Sequence, residues 1–194
     1  EKDIVVGSPT SGRYHPDISR VAGMFANSLV VRTTIDEDLT FPEFLKVVHR
    51  NFLNAIDHQE YPFEELVKVL NVRRDMSRNP LFNVIFAFQN DYESKFGHND
   101  IVVEKTNLLE ETTGTAKVDL AFWCKANFSS IVIDVEYATS LFNRSTVEAW
   151  CCLYHSMVAL CMNENVSLET ILAGSDGPLS LENAGSFSGQ NSIV

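Results

Sequence analysis

Apolar residues recur along the chain with two periods, and the alternation between them divides it into elements. Ile4-Val5-Val6-Gly7 is a short apolar run and predicts a buried strand. Ser8 to Asp17 is built from turn formers (Ser8-Pro9, Ser11-Gly12, His15-Pro16) and predicts a loop. Val21 to Leu29 is an apolar run around Gly23 that closes on Asn27-Ser28. Val30 to Ile35 is β-branched and alternates with Arg32 and Thr34, the pattern of a strand. Thr40 with Glu43 forms a capping box, which opens a helix reaching Asp57. Its apolar stripe is Phe41, Phe44, Leu45, Val48, Phe52, Ala55 and Ile56, with His49 on the solvated side. Pro62, which has no amide hydrogen, suits the first turn of a second, short helix. Glu64 and Glu65 sit at its positive end, Phe63, Leu66, Val67 and Leu70 form its apolar face, and Arg73 and Arg74 close it. Asn79 is pushed toward extended geometry by Pro80, so a bend precedes the apolar strand Leu81 to Phe88.

The second half is richer in strands. Gln89 to Asn99 reads as a loop, Ile101 to Lys105 as a strand, and Glu110 to Thr115 as another loop. Val118, Leu120, Phe122 and Cys124 form one face of the next strand. Ile131, Ile133, Val135 and Tyr137 point inward from the strand after it, with Asp134 and Glu136 outward. Asn127 to Ser130 between them predicts a hairpin. Asn143 or Ser145 starts the last long helix, whose stripe is Val147, Trp150, Cys151, Tyr154, Met157, Val158 and Cys161, ending near Asn163. Leu168 to Leu172 predicts one further turn. The order is strand, strand, helix, helix, four strands, helix, with no internal repeat. It predicts an α/β fold of the α+β type: a mixed sheet with helices packed on one face. Residues 1–172 form the domain; residues 173–194, poor in groups to bury, read as a flexible linker or tail.

Charge narrows the partners. Fifteen Lys and Arg against 26 Asp and Glu give a formal charge of −11. Nucleic acid and anionic membrane are therefore not expected partners. No apolar run reaches the length of a membrane span, no basic-then-apolar leader opens the chain, and a cytoplasmic location is expected. The cysteines, Cys124, Cys151, Cys152 and Cys161, contain no C-x-x-C pair, so they read as reduced core residues rather than bridges or metal ligands. Glu1-Lys2-Asp3 runs directly into the first strand without an initiating methionine, and the chain is read as part of a longer polypeptide.

No catalytic constellation is complete. The first loop has neither G-x-x-x-x-G-K-[ST] nor G-x-G-x-x-G, so it is a surface connection rather than a phosphate cradle. His15 and His98 fall in loops, and His155 follows Tyr154 on the last helix in a half-buried position. Asp119 and Asp134 have the chemistry of an acid/base pair but fall on an outer strand face. His58 and Gln59 either contact a substrate or partner, or form the cap and bend that docks the helix at Pro62; the second is preferred. Asn27 and Ser28, if buried, need partners: local backbone, or a substrate amide in a tunnel. Arg73, Arg74 and Arg78 form a basic island suited to a phosphate or an acidic protein, although the chain's own carboxylates are the readier partners.

The wording of three stretches is more specific. His58-Gln59-Glu60-Tyr61-Pro62-Phe63-Glu64 is followed ten residues later by Arg74-Asp75-Met76-Ser77-Arg78-Asn79-Pro80-Leu81, and preceded by Gly23-Met24-Phe25-Ala26-Asn27-Ser28 with a later Arg32. In this order they closely resemble motifs of nonribosomal peptide synthetase condensation domains. Val5-Val6-Gly7-Ser8-Pro9 and Gly12-Arg13 also look like that family. Ser28 replaces the usual Thr and keeps a hydroxyl, Glu60 replaces Asp, and Ala26 replaces Val.

The resemblance implies the C-terminal lobe of a two-lobed domain related to chloramphenicol acetyltransferase, with a tunnel between the lobes. It implies amide-bond formation between two carrier-bound thioesters. The family's His-His-x-x-x-Asp-Gly lies in the N-terminal lobe and is absent here, so this chain is expected to hold no catalytic residue and to be inactive alone. Phe25, Asn27 and Ser28 are the implied tunnel residues. Gly23, Arg32, His58, Gln59, Pro62, Phe63, Glu64, Arg74, Asp75, Ser77, Arg78, Asn79 and Pro80 are the implied frame. The implied partners are the N-terminal lobe, peptidyl carrier proteins and a neighbouring adenylation domain. No cofactor or metal is expected on this chain; phosphopantetheine arrives on the carriers. The alternatives are a non-catalytic carrier-docking module, and an epimerisation or other acyltransferase member of the superfamily.

Overall fold

The computed structural model describes residues 2–72, 78–90, 116–126, 131–162 and 167–173. The predicted strand at 101–105, the loop at 110–115, Arg74, Asp75 and Ser77, the hairpin turn at 127–130 and the tail from residue 174 lie outside them. The described elements are β1 (Asp3–Thr10), a 3-10 turn (Pro16–Ile18), β2 (Asn27–Thr34), α1 (Phe41–Asp57), α2 (Phe63–Val69), β3 (Val84–Asn90), β4 (Leu120–Ala126), β5 (Ile131–Tyr137), α3 (Arg144–Cys161) and α4 (Leu168–Ala173). The strands form one mixed sheet in the order β2-β1-β3-β4-β5. β1–β2 and β4–β5 are antiparallel; β1–β3 and β3–β4 are parallel.

Register assigns the faces. Leu29, Val31 and Thr33 of β2 share a face with Phe86 and Phe88 of β3 and with Phe122 and Cys124 of β4. Asn51 of α1 donates from Nδ2 to the Thr33 hydroxyl at 3.2 Å and to the Arg32 carbonyl at 3.1 Å. The Tyr154 ring of α3 meets Phe122 with centroids 5.9 Å apart. Both long helices therefore cover the same face, as the sequence pattern predicts. The opposite face, open except where Phe82 lies over Gly7, carries Pro9, Gly7, Ser28, Val30 and Arg32, then Ile85, Ala87, Trp123 and Lys125.

The start of α1 follows its capping signal: Glu43 Oε2 accepts the Thr40 backbone amide at 2.9 Å and the Thr40 hydroxyl at 2.7 Å. These bonds hold the Glu43 carboxyl below its ordinary pKa, the hydroxyl first. At the far end of the chain, Leu168 donates its amide to the Leu39 carbonyl, which ties α4 to the entry of α1.

Several boundaries differ from the pattern. Ser8, Pro9 and Thr10 extend β1 instead of opening the loop, because they pair with Leu29, Ser28 and Asn27; cross-strand pairing overrides their turn preference. β2 accordingly starts at Asn27 and not at Val30. β3 starts at Val84, and it continues through Gln89 and Asn90 alongside Lys125 and Ala126. α2 ends at Val69, before Arg73: Asn71 takes a left-handed φ of 49°, which no helix continues. Lys68, not an arginine, is the cation of its last turn.

Burial is narrower than the stripes imply. Leu45 and Phe52 of α1, Leu70 after α2, and Trp150, Tyr154 and Val158 of α3 are exposed, since each helix meets the sheet along only part of its apolar face. Ile131 is exposed because it stands on the edge strand opposite the small Ala126. His155 is exposed, not half-buried. Asp134 is half-buried and pairs with Lys125 at 3.2 Å rather than facing solvent alone.

Candidate functional site

The first two sequence stretches meet at the Thr10–Asn27 end of the β1–β2 ladder, where Asn27 joins them, and residues 78–81 of the third lie beside Asp3–Val5 toward the other end of β1. Its Nδ2 donates to the Gln59 carbonyl at 3.0 Å and to the Tyr61 carbonyl at 2.8 Å. Its Oδ1 accepts the Ser28 amide at 2.9 Å and the Phe63 amide at 3.2 Å. Two donors and two acceptor positions are all that a carboxamide has, so Asn27 is saturated by the chain's own backbone. Of its partners only the Ser28 amide is local backbone; the other three lie 32 to 36 residues along the chain. The Phe63 amide is one of the free donors at the start of α2, so Asn27 also caps that helix from a distance. Beside it, the Thr10 hydroxyl donates to Gln59 Oε1 at 2.8 Å.

Ser28 points the other way. Neighbours in a strand face opposite sides, so Asn27 and Ser28 divide between the helix side and the open face.

The second stretch meets the residue that follows the third through rings. Phe63 packs on Phe82 with centroids 5.6 Å apart, and Phe82 is buried. Asn79 Oδ1 accepts the amides of Leu81 and Phe82 at 3.1 and 3.3 Å, which forms the bend that aims Phe82 inward. The ring occupies the volume a Cβ on Gly7 would need, so Gly7 admits no side chain while Phe82 stays in place. His58 is the C-cap of α1, with Nδ1 hydrogen-bonded to the Asn54 carbonyl at 2.8 Å. Pro62 is the N-cap of α2, one position earlier than the pattern suggests, and Glu64 stands exposed in the first turn.

Phe25 and Gly23 belong to a segment gathered around an arginine that the sequence pattern does not single out. Arg13 Nη1 donates to the carbonyls of Ile18 and Val21, both at 2.7 Å, and Nη2 donates to that of Gly23 at 3.0 Å. Its guanidinium stacks over the Phe25 ring, 4.6 Å from the centroid. Gly12, at φ 64°, lies against the Phe25 carbonyl, where a Cβ has no room. The signal available in sequence was the Gly12-Arg13 pair; its acceptors, five to ten residues on, were not legible.

Arg32 sits at the other end of β1, where it clasps Asp3: Nε to Oδ1 at 2.9 Å and Nη2 to Oδ2 at 2.6 Å. The bidentate bond lowers the Asp3 pKa and raises that of Arg32. A shallow groove runs beside this pair, between Asp3–Val5 and residues 78–84, with Arg78 and Pro80 in its lining. On the open face Trp123 Nε1 donates to Glu136 at 3.4 Å, next to the Lys125–Asp134 pair. Burial pushes the Cys124 thiol up, helped by the Asp134 charge. Among the described residues no group of three or more His, Cys, Asp and Glu side chains could hold a metal, and no helix is long and apolar enough to cross a membrane.

Comparison with known proteins gives one family. The description "Condensation domain" matches residues 1–170. Tyrocidine synthase 3 of Brevibacillus parabrevis is 44% identical over 148 residues, which are 76% of this chain and 2% of that one. Gramicidin S synthase 2 of Brevibacillus brevis is 35% identical over 172 residues, 88% of this chain and 4% of that one. The chain thus spans a few per cent of these relatives' length. The solved condensation domain from Monacolin K polyketide synthase superposes with a TM-score of 0.68 at 20% identity, over 87% of this chain and 39% of that one.

Proposed function

The chain belongs to the condensation-domain family, and on that premise we propose that it is the C-terminal lobe of a nonribosomal peptide synthetase condensation domain. The whole domain would form an amide bond: the amine of a carrier-bound aminoacyl group attacks the thioester carbonyl of a second carrier-bound group, and the thiol of the donor's phosphopantetheine arm leaves. This lobe supplies one wall of the tunnel and part of the surface on which carriers dock. The acid/base work falls to a His-His-x-x-x-Asp-Gly motif, which this sequence does not contain.

The observation that carries the reading is the Asn27 clamp, which joins the first two motif stretches, together with the Phe63–Phe82 pair, which ties the second to the residue that follows the third. Residues far apart in sequence are there held as one frame along β1. The open face beside it, with Ser28, the Trp123–Glu136 contact and the Lys125–Asp134 pair, is the surface left for a facing lobe and substrate.

The test uses the parent polypeptide with flanking carrier proteins loaded with donor and acceptor thioesters. Mass spectrometry of the carriers should find the condensed product on the acceptor. Carriers that bind without product formation would point to a docking module. Inversion at a carrier-bound stereocentre without amide formation would point to epimerisation.

A further inference from the structure

We propose that Arg13 is the positioning residue of the tunnel wall: it fixes the segment from Tyr14 to Phe25, and through it the approach to Ser28. The proposal rests on the condensation reading above. Residues 21–26 lie in no helix or strand. Backbone carbonyls in such a segment need donors from elsewhere. Arg13 serves two of them, at Val21 and Gly23, together with the Ile18 carbonyl of the preceding 3-10 turn, and covers the Phe25 ring with the same planar group. An ammonium is a single point charge and cannot reproduce that flat, divergent set. The outcome is a segment with its centre locked and its tip bare: Met24 is 92% exposed. The anchor and the wall are close in sequence, because Phe25 stands two residues before Asn27. A shift of the guanidinium is therefore passed directly to the start of β2.

Arg13→Lys and Arg13→Gln in the parent polypeptide test this. The amide of Val21, which donates to the Ile18 carbonyl, should exchange at least about tenfold faster in both variants, while those of β1 and α1 keep their protection. In condensation assays kcat should fall between about tenfold and a hundredfold, because reacting groups misplaced by an ångström lose that much, with KM for the carrier-bound substrates held within about twofold. Lysine should rescue neither quantity. Rescue by lysine would overturn the proposal in favour of a charge effect. Unchanged exchange would remove the anchor, and faster exchange with unchanged kcat would remove the catalytic consequence. Should the wild-type parent form no amide, the condensation reading fails, and the exchange arm still decides whether Arg13 holds the segment.

Discussion

Replacing Asn27 by alanine removes four hydrogen bonds at once, and the geometry allows the cost to be worked out. A typical bond contributes about 1 kcal/mol net, and a group left unsatisfied costs more where water is excluded. The contacts to Gln59, Ser28 and Phe63 are part-buried and the contact to Tyr61 is exposed. Water can thus replace some of them, and the expected loss is about 2–4 kcal/mol rather than the full sum. The amides of Ser28 and Phe63 report it directly. With about 1.4 kcal/mol for each tenfold, their hydrogen exchange should accelerate roughly 30- to 1000-fold.

Asn27→Asp is the sharper control, since shape and acceptor are kept. Its second oxygen would lie against the Gln59 and Tyr61 carbonyls in place of a donor. A carboxyl so placed has a folded pKa above its unfolded value of about 3.9. The variant should therefore suffer least below that pH, and its penalty should grow as pH rises through the folded pKa. An aspartate variant as stable as wild type at pH 7, or an alanine variant whose two amides keep their protection, would refute the reasoning.

Three further outcomes are expected. Gly12→Ala should lower stability by roughly 2–4 kcal/mol, about 1–2 of it from the left-handed φ and the rest from the collision with the Phe25 carbonyl; a thermal melt within a degree of wild type would contradict the packing. The Asp3 carboxyl, depressed by Arg32, should contribute stability that is present above its unfolded pKa and lost as pH falls through the lower folded value. Urea midpoints followed down from pH 5 should then decline less in Asp3→Asn than in wild type, and parallel curves would count against the pair. Cys124, buried and with its thiol pKa raised, should resist a water-soluble maleimide at pH 7 while the half-buried Cys151, Cys152 and Cys161 are labelled before it; equal labelling of all four, mapped by mass spectrometry, would show that burial does not protect it.

The elements legible in the sequence are those whose pattern and local chemistry agree. α1 has a stripe, a capping box and a fixed start, and β4 with β5 reads as two alternating strands. Ser8-Pro9-Thr10 was hidden because its residues prefer turns and its strand character comes from β2, some twenty residues on. Asn71 ended α2 early by a backbone state that residue type alone does not announce. Motif wording identified the stretches that make the site, but not how they meet. Asn27 finds its partners 32 to 36 residues away along the backbone. The backbone has no spelling, so neither the clamp nor its saturation was written in the residues around it.

That clamp has a consequence for recombining such chains. Asn27 grips main-chain atoms of Gln59, Tyr61 and Phe63, whereas Thr10 grips the side chain of Gln59. A splice in the turn between β2 and α1 would separate Asn27 from its partners, yet any transplanted segment with the same backbone path restores all three contacts, whatever its side chains. The Thr10 link survives only where the incoming piece brings a matching acceptor at position 59. Chimeras crossed over at residues 35–39 should therefore keep the Asn27 joint, with the Thr10 link and the two bonds from Asn51 to Arg32 and Thr33 depending on the incoming side chains, which makes that turn a tolerant seam for exchanging parts between condensation domains.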